Sequence, residues 1–225
     1  MEQDKSTHRK QLIETIRKIV SDGDEIRHRV ADAVREAGAA IGETGETLAD
    51  ISKSVIDEAV EAASSKLDEN RSGEALREVI EGVGDGLHST AQAVDLAMLE
   101  ARGKGREFAD EDLGSVAEDL RSIAGLFVET TERALRGAGG HLKEQVSGLV
   151  DHAEHTAKRV KPQLESAAST VSGDAVGIAK QTARAGVAGV REGVGALLAA
   201  VGGILKDSGE GIKTKHREAV DTDEQ

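Results

Sequence analysis

The chain has 225 residues and a formal net charge of −13, and it contains 26 Gly, 2 Phe, no Trp, no Tyr and no Cys. A chain without cysteine forms neither disulfides nor thiolate metal sites, and an acidic chain without aromatic rings for base stacking is a poor nucleic-acid binder. Because aromatic side chains supply much of the buried area of ordinary cores, we expect a thin aliphatic core and no nucleic-acid partner.

The first 70 residues predict an acidic N-terminal helical segment. Apolar side chains at helical spacing, such as Ile16 and Ile19, predict a helix over residues 7–20 that is broken at residues 22–24. From Ile26 to about residue 67 the helical spacing continues. It is weakened by Gly38, Gly42 and Gly45, each unfavourable by about 1 kcal/mol in a helix interior.

Residues 71–175 predict helical hairpins. A joint at residues 68–73, with Ser72 as the N-cap, begins a helix that reaches residue 100 or 102. The next helix is expected over residues 110–136 and ends at the glycines of residues 137–140. A further helix covers residues 141–160, and Pro162 predicts either its end or a kink. The last long helix is expected over residues 163–206.

One apolar position recurs every eleven residues from Leu113 to Ile212, and two companion series share this period. The three series are offset by 3, 4 and 4 residues, so they lie on one helical face. Eleven residues over three turns give a nearly straight stripe or a slight right-handed coil. We predict that this stripe binds a surface or a partner through Leu113, Leu120, Phe127, Leu135, Leu142, Val146, Leu149, Val160, Leu164, Val190, Leu197, Val201 and Ile204.

Residues 176–225 predict a glycine- and alanine-rich helix followed by a charged tail. Small residues four apart let helix backbones approach closely, and we expect this role for Gly189, Gly193, Gly195 and Gly203. Residues 176–220 carry 7 basic and 4 acidic side chains, against the acidic trend of the chain. This pattern suits a helix that lies on an anionic surface, and it equally suits a small-residue core helix of a bundle.

The helical period holds throughout the chain, and alternation of the strand type is nowhere sustained. The sequence therefore predicts an all-α protein of about five to seven amphipathic helices, arranged as an elongated bundle of hairpins or as a few long bent helices. The N-terminus is polar, and the longest uncharged run has 13 residues, whereas a membrane-spanning helix needs about 20. We expect a cytoplasmic protein that has no transmembrane helix and that can contact a membrane only peripherally.

A set of titratable side chains resembles a metal site at first sight: His141, His152 and His155, with Asp151 and Glu154. The first and second histidines are eleven residues apart, about 16 Å along a helix, so one helix cannot bring all three to one ion. No phosphate-binding loop or nucleophile elbow is present in the sequence. We therefore expect no metal, no cofactor and no enzymatic activity.

Residues 91–100, the joint at residues 103–108 and the helix over residues 113–135 resemble bacterial phasins, the helical coats of polyester storage granules. They also resemble a group of uncharacterised bacterial helical proteins of similar length. The eleven-residue stripe is similar to the helices of late-embryogenesis-abundant proteins and apolipoproteins, which fold on surfaces or on drying. These resemblances imply a non-enzymatic role in covering a surface or in assembly.

The sequence therefore predicts a non-catalytic coat or scaffold protein whose stripe binds a lipid, a polymer granule or a protein surface. The alternative is a self-associating helical bundle that buries the stripe in itself and mediates protein–protein contacts only. Both hypotheses are consistent with a homo-oligomer.

Overall fold

The computed structural model describes residues 2–40, 47–103, 110–138, 142 and 144–182. This part of the chain forms six helices and no strand, which confirms the all-α prediction. The helices are α1 (Glu2–Asp22), α2 (Ile26–Ala39), α3 (Leu48–Lys66), α4 (Glu69–Gly103), α5 (Asp110–Gly137) and α6 (Val146–Thr182).

The break after α1 is a tight turn in which two residues adopt left-handed backbone angles. Gly23 has φ 78° and Glu25 has φ 49°, and glycine accepts such an angle without steric cost. The predicted interruption at residues 22–24 is therefore confirmed. The helical spacing from residue 26 to about residue 67 is divided between two helices, because α2 ends at Ala39 and α3 begins at Leu48.

α3 begins with a reciprocal cap. The Thr47 hydroxyl accepts a hydrogen bond from the Asp50 amide at 3.1 Å, and the Asp50 carboxylate accepts one from the Thr47 amide at 3.2 Å. Such a capping box satisfies two amides that have no partner inside the helix. The cap therefore fixes where α3 starts.

The prediction of Ser72 as a helix N-cap is wrong. α4 begins at Glu69, and the Asp68 carboxylate accepts a hydrogen bond from the Arg71 amide at 3.0 Å. Ser72 is buried inside α4, where its hydroxyl donates to the carbonyl oxygens of Asp68 at 2.7 Å and Ala63 at 3.0 Å. The serine therefore ties the end of α3 to the start of α4.

Pro162 does not end a helix. α6 runs without interruption from Val146 to Thr182 with Pro162 inside it, although proline lacks the N–H of a helical hydrogen bond. Of the two alternatives predicted at Pro162, the end of a helix is therefore wrong, and the kink stays a prediction. The predicted end of α5 near residue 137 is confirmed.

The helices pack side by side in a closed order around the bundle. α1 contacts α3, α3 contacts α5, α5 contacts α6, α6 contacts α4, α4 contacts α2, and α2 returns to α1. α3 and α4 also contact each other, so they are shared by two four-helix units. One hydrophobic core contains residues of all six helices, among them Ile16, Val30, Ile51, Val83, Phe127 and Leu164.

The proposed division of the chain at about residues 70 and 175 stays a prediction. Contacts between α2 and α4 and between α3 and α5 cross the first boundary. Most of the third segment, including its four close-packing glycines, lies outside the described residues.

Candidate functional site

The central part of the predicted stripe lies on the inner faces of α5 and α6. The following side chains are at most 3% exposed: Leu120, Phe127, Leu135, Leu142, Leu149, Val160 and Leu164. Val146 is partly buried against the same core. The side chain of Leu113, and all of Val190, Leu197, Val201, Ile204, Gly189, Gly193, Gly195 and Gly203, lie outside the described residues.

In the closed bundle this stripe is covered by the protein itself. α5 packs on α3 and α6, and α6 packs on α4 and α5. Six of the buried side chains on these two helices are alanines: Ala117, Ala124, Ala153, Ala157, Ala167 and Ala168. Because each alanine buries little more than one methyl group, worth about 0.8 kcal/mol, the core between α5 and α6 is thin.

The outer faces of α5 and α6 are charged. On α5, Arg133 pairs with Glu129 at 2.5 Å, and on α6, Lys158 pairs with Glu154 at 3.3 Å. These pairs are four residues apart on exposed helix surface, where each contributes about 0.3 to 0.5 kcal/mol. Over residues 116–137 of α5 and 146–172 of α6, both helices therefore have a mainly aliphatic inner face and a mainly charged outer face, on which Leu126 of α5 is 39% exposed.

A cluster of charged side chains joins three helices. Glu81 and Asp85 of α4 lie between Arg27 of α2 and Arg159 of α6. Arg27 donates from Nε to the Asp85 carboxylate at 2.7 Å, and this bond raises the pKa of the arginine. Arg159 donates to Glu81 at 2.7 Å and to Asp85 at 3.1 Å. The cluster therefore fixes the relative positions of α2, α4 and α6.

His152 extends this cluster on the α6 side. Its Nε2 atom lies 3.2 Å from Glu81 Oε1, but outside hydrogen-bonding geometry. His155 is exposed, and His141 lies outside the described residues. Within the described part of the chain, no group of three or more His, Cys, Asp or Glu side chains could hold a metal ion.

Three glycines of α4 lie where the neighbouring helices α2 and α6 approach it closely. A Cβ atom added at Gly82 would lie 2.5 Å from the Arg27 carbonyl oxygen, and one at Gly86 would lie 2.6 Å from the Val34 Cβ. A Cβ atom at Gly84 would lie 2.4 Å from a methyl carbon of Thr156. The missing side chains at Gly82 and Gly86 thus allow α2 to pack closely on α4, and the missing side chain at Gly84 does the same for α6.

The interface between α3 and α5 differs from the close interfaces that α4 forms with α2 and α6. Among the described side chains, no ion pair or hydrogen bond joins the two helices. Burial raises the pKa of Asp119 on α5, and the charges of Glu118 and of Asp50 on α3 raise it further. Near the other end of the two helices lies an open groove lined by Asp57, Val60, Glu61, Ser64, Ser65, Ala134, Gly137 and Ala138.

Sequence reasoning missed the charged cluster and the role of the α4 glycines. The paired residues of the cluster are 58 to 78 positions apart in the chain, so no local spacing marks them. The glycines had a visible signal, because Gly82, Gly84 and Gly86 alternate inside a helical pattern, and a glycine kept in a helix interior commonly has a packing reason.

None of the helices in the described part is both long enough and apolar enough to cross a membrane. No curated protein and no solved structure matches the chain. A family-level comparison matches residues 2–214, nearly the whole sequence, and the chain therefore belongs to the family of unknown function DUF6781.

Proposed function

We propose that the protein is a non-catalytic helical coat protein that covers an apolar surface with the inner faces of α5 and α6. One observation carries the proposal: over residues 116–137 of α5 and 146–172 of α6, each helix has a mainly aliphatic face and a mainly charged face. Such helices can exchange contact with one another for contact with a lipid or polymer surface while their charges stay in water.

The thin core supports this exchange. Alanine side chains contribute little to closing the bundle, and exposed ion pairs on the outer faces are unaffected when the inner faces change partner. The resemblance of residues 91–135 to phasins points to the same role, with a storage granule as one such surface. No step of the proposal requires a catalytic group, a metal or a cofactor.

The test uses tryptophan as a probe, because the chain contains none. In Phe127→Trp the indole lies at a site that is 2% exposed in the closed bundle. With vesicles that contain brominated lipids, we expect the indole fluorescence to be quenched as the stripe enters the apolar layer. A Leu149→Trp variant provides a second buried site, in case the larger ring at residue 127 disturbs the fold.

The matched control is Ser122→Trp, which places the indole on the exposed side of α5. We expect no quenching there, because that face stays in water. Equal quenching at residues 122 and 127 would contradict binding through the inner face. An absence of vesicle and granule binding by the unmodified protein, measured by flotation, would reject the coat function.

A second candidate function is self-association. Leu96 and Leu99 near the end of α4 are 52% and 55% exposed. The preceding turns of α4 are covered by α2, whose Gly38 lies against Thr90, but α2 ends at Ala39. A second copy of the chain covering these leucines would be detected as a dimer by light scattering, and Leu96→Gln with Leu99→Gln would abolish it.

A further inference from the structure

Four of the helices form two hairpins that face each other. α3 and α4 are joined through residues 67 and 68, and α5 and α6 through residues 138–145. The hairpins meet along two edges, α4 against α6 and α3 against α5. Such a unit can open along one edge while the other acts as the hinge, and the apolar interior between the hairpins then becomes accessible.

The α4–α6 edge has the features of a hinge that stays closed. Arg159 binds both Glu81 and Asp85, and Gln163 donates to the Asp95 carboxylate at 3.1 Å. Gly84 brings the two backbones close at the same edge. Hydrogen bonds to charged groups are among the stronger side-chain contacts, so this edge is held at several points along its length.

The α3–α5 edge is held by apolar packing alone among the described side chains. Asp50 and Asp119, one from each helix, repel each other there. Near the other end, the groove at Glu61, Ser64 and Gly137 leaves the two helices incompletely packed. Separating this edge breaks no ion pair between described residues, and it weakens the repulsion between the like charges of Asp50 and Asp119.

We propose that the bundle opens along the α3–α5 edge and hinges at the α4–α6 edge, and that this opening delivers the inner face of the α5–α6 hairpin to an apolar lipid surface. This inference rests on the proposed coat function and adds to it the route by which the buried stripe reaches the surface. The charged cluster at Glu81 and Asp85 holds the hinge throughout.

A reversible lock tests the route. The chain has no native cysteine, so Ser64→Cys with Gly137→Cys can be joined across the α3–α5 groove by a short maleimide linker that a reductant cleaves. A side chain added at Gly137 meets no atom within 4 Å, so the site accepts the cysteine. The control pair, Asp95→Cys with Gln163→Cys, joins α4 to α6 where the native side chains already touch.

We expect the α3–α5 lock to lower binding to anionic lipid vesicles at least about tenfold, with recovery when the linker is cleaved. The α4–α6 lock should leave binding unchanged. If the α3–α5 lock binds vesicles as well as the unlocked protein, the opening route is wrong while the coat function stands. If the unmodified protein binds neither vesicles nor storage granules, the coat function is wrong, and amide hydrogen exchange then decides whether the edge opens.

Amide hydrogen exchange measures opening of the α3–α5 edge in the absence of a lipid surface. We expect the α3–α5 lock to slow amide exchange in α5, because the open state from which those amides exchange is removed. The α4–α6 lock should have little effect on α5. Equal slowing by both locks would contradict an edge-specific opening.

Removal of one charge gives an independent readout. Asp119→Asn removes the burial penalty of the ionised carboxyl and its repulsion with Asp50, so we expect a tighter edge and about two- to fivefold weaker binding to anionic vesicles. Asp151→Asn removes the same charge at an exposed site on α6, and we expect it to strengthen binding slightly, because it weakens the repulsion from the anionic lipid. If both variants strengthen binding equally, the edge does not control access to the stripe.

Discussion

The glycines of α4 give the sharpest test of the packing. Alanine is preferred over glycine in a helix interior by about 1 kcal/mol, so an ordinary Gly→Ala change in a helix stabilises a protein. At Gly82 the added methyl group would lie 2.5 Å from the Arg27 carbonyl oxygen and 2.8 Å from the Val30 Cβ. These atoms belong to the backbone and first side-chain carbon of α2, so only a shift of the whole helix can relieve the overlap.

Overpacking of this kind costs about 1 to 3 kcal/mol, and the gain in helix propensity offsets about 1 kcal/mol of it. We therefore expect Gly82→Ala to lower the free energy of unfolding by up to about 2 kcal/mol. In a domain of this size 1 kcal/mol corresponds to about 2 to 4 °C in Tm, so the melting temperature should fall by several degrees.

Gly125 of α5 provides the matched control, because a Cβ atom added there meets nothing within 4 Å. The same substitution, Gly125→Ala, should raise the free energy of unfolding by about 0.5 to 1 kcal/mol. Urea denaturation followed by circular dichroism at 222 nm measures both variants. A stabilising effect of Gly82→Ala equal to that of Gly125→Ala would refute close packing of α2 on α4.

Three further predictions concern single side chains, each measured by urea or thermal denaturation. Phe127→Ala should lower the free energy of unfolding by about 3 to 5 kcal/mol, because this ring is among the largest fully buried side chains. A decrease below about 1 kcal/mol would show that the ring is not part of the core. Arg159→Met should lower the free energy of unfolding by about 1 kcal/mol, because among the described arginines only Arg27 then pairs with Glu81 and Asp85. This loss should disappear in high salt, which screens the ion pairs. The raised pKa of Asp119 means that its ionised form disfavours the folded state, so Asp119→Asn should be more stable than the native protein at neutral pH. The difference should shrink as the pH falls below the raised pKa and vanish below the ordinary pKa of an aspartate, where the carboxyl is protonated in both the folded and the unfolded state; a difference that persists there would contradict the electrostatic cause.

The periodic part of the fold could be predicted from the sequence. Apolar residues at the same helical spacing also precede the stripe, from Leu76 through Val83 and Leu87 to Met98, and they are buried on α4. The start of α5 at Asp110 agrees with the acidic residues there. These features follow from local spacing, helix dipoles and glycine breaks, which act within a few residues.

The predictions of an N-cap at Ser72 and of a helix end at Pro162 were wrong because the structure at both residues depends on tertiary contacts. Ser72 has the side chain of an N-cap, but the carbonyl oxygen of Ala63 on the preceding helix gives its hydroxyl a buried partner. Pro162 would end an isolated helix, but packing of Val160 and Leu164 on either side of it holds α6 together. Propensity is a weak guide where such burial acts on both sides of a breaking residue.

The partners of the stripe could not be predicted for a similar reason. The eleven-residue period places Leu120, Phe127 and Leu164 on inner helix faces, but it contains no information about whether a second helix or an external surface covers them. That choice depends on the pairing of the hairpins. The pairing is set by long-range contacts such as Arg159 with Glu81, for which the sequence carries no local signal.

The stripe side chains serve as the core of the closed bundle, and in the proposed coat they are also the binding face. Their burial therefore contributes to both states, and replacing Leu120 or Phe127 weakens folding together with binding. A ligand shifts such an equilibrium only by its difference in affinity for the two states. The residues that can separate the states must lie where the states differ, which is the edge between α3 and α5. For this reason Asp119, whose charge is outside the stripe but acts across that edge, is a better probe of function than any residue of the stripe itself.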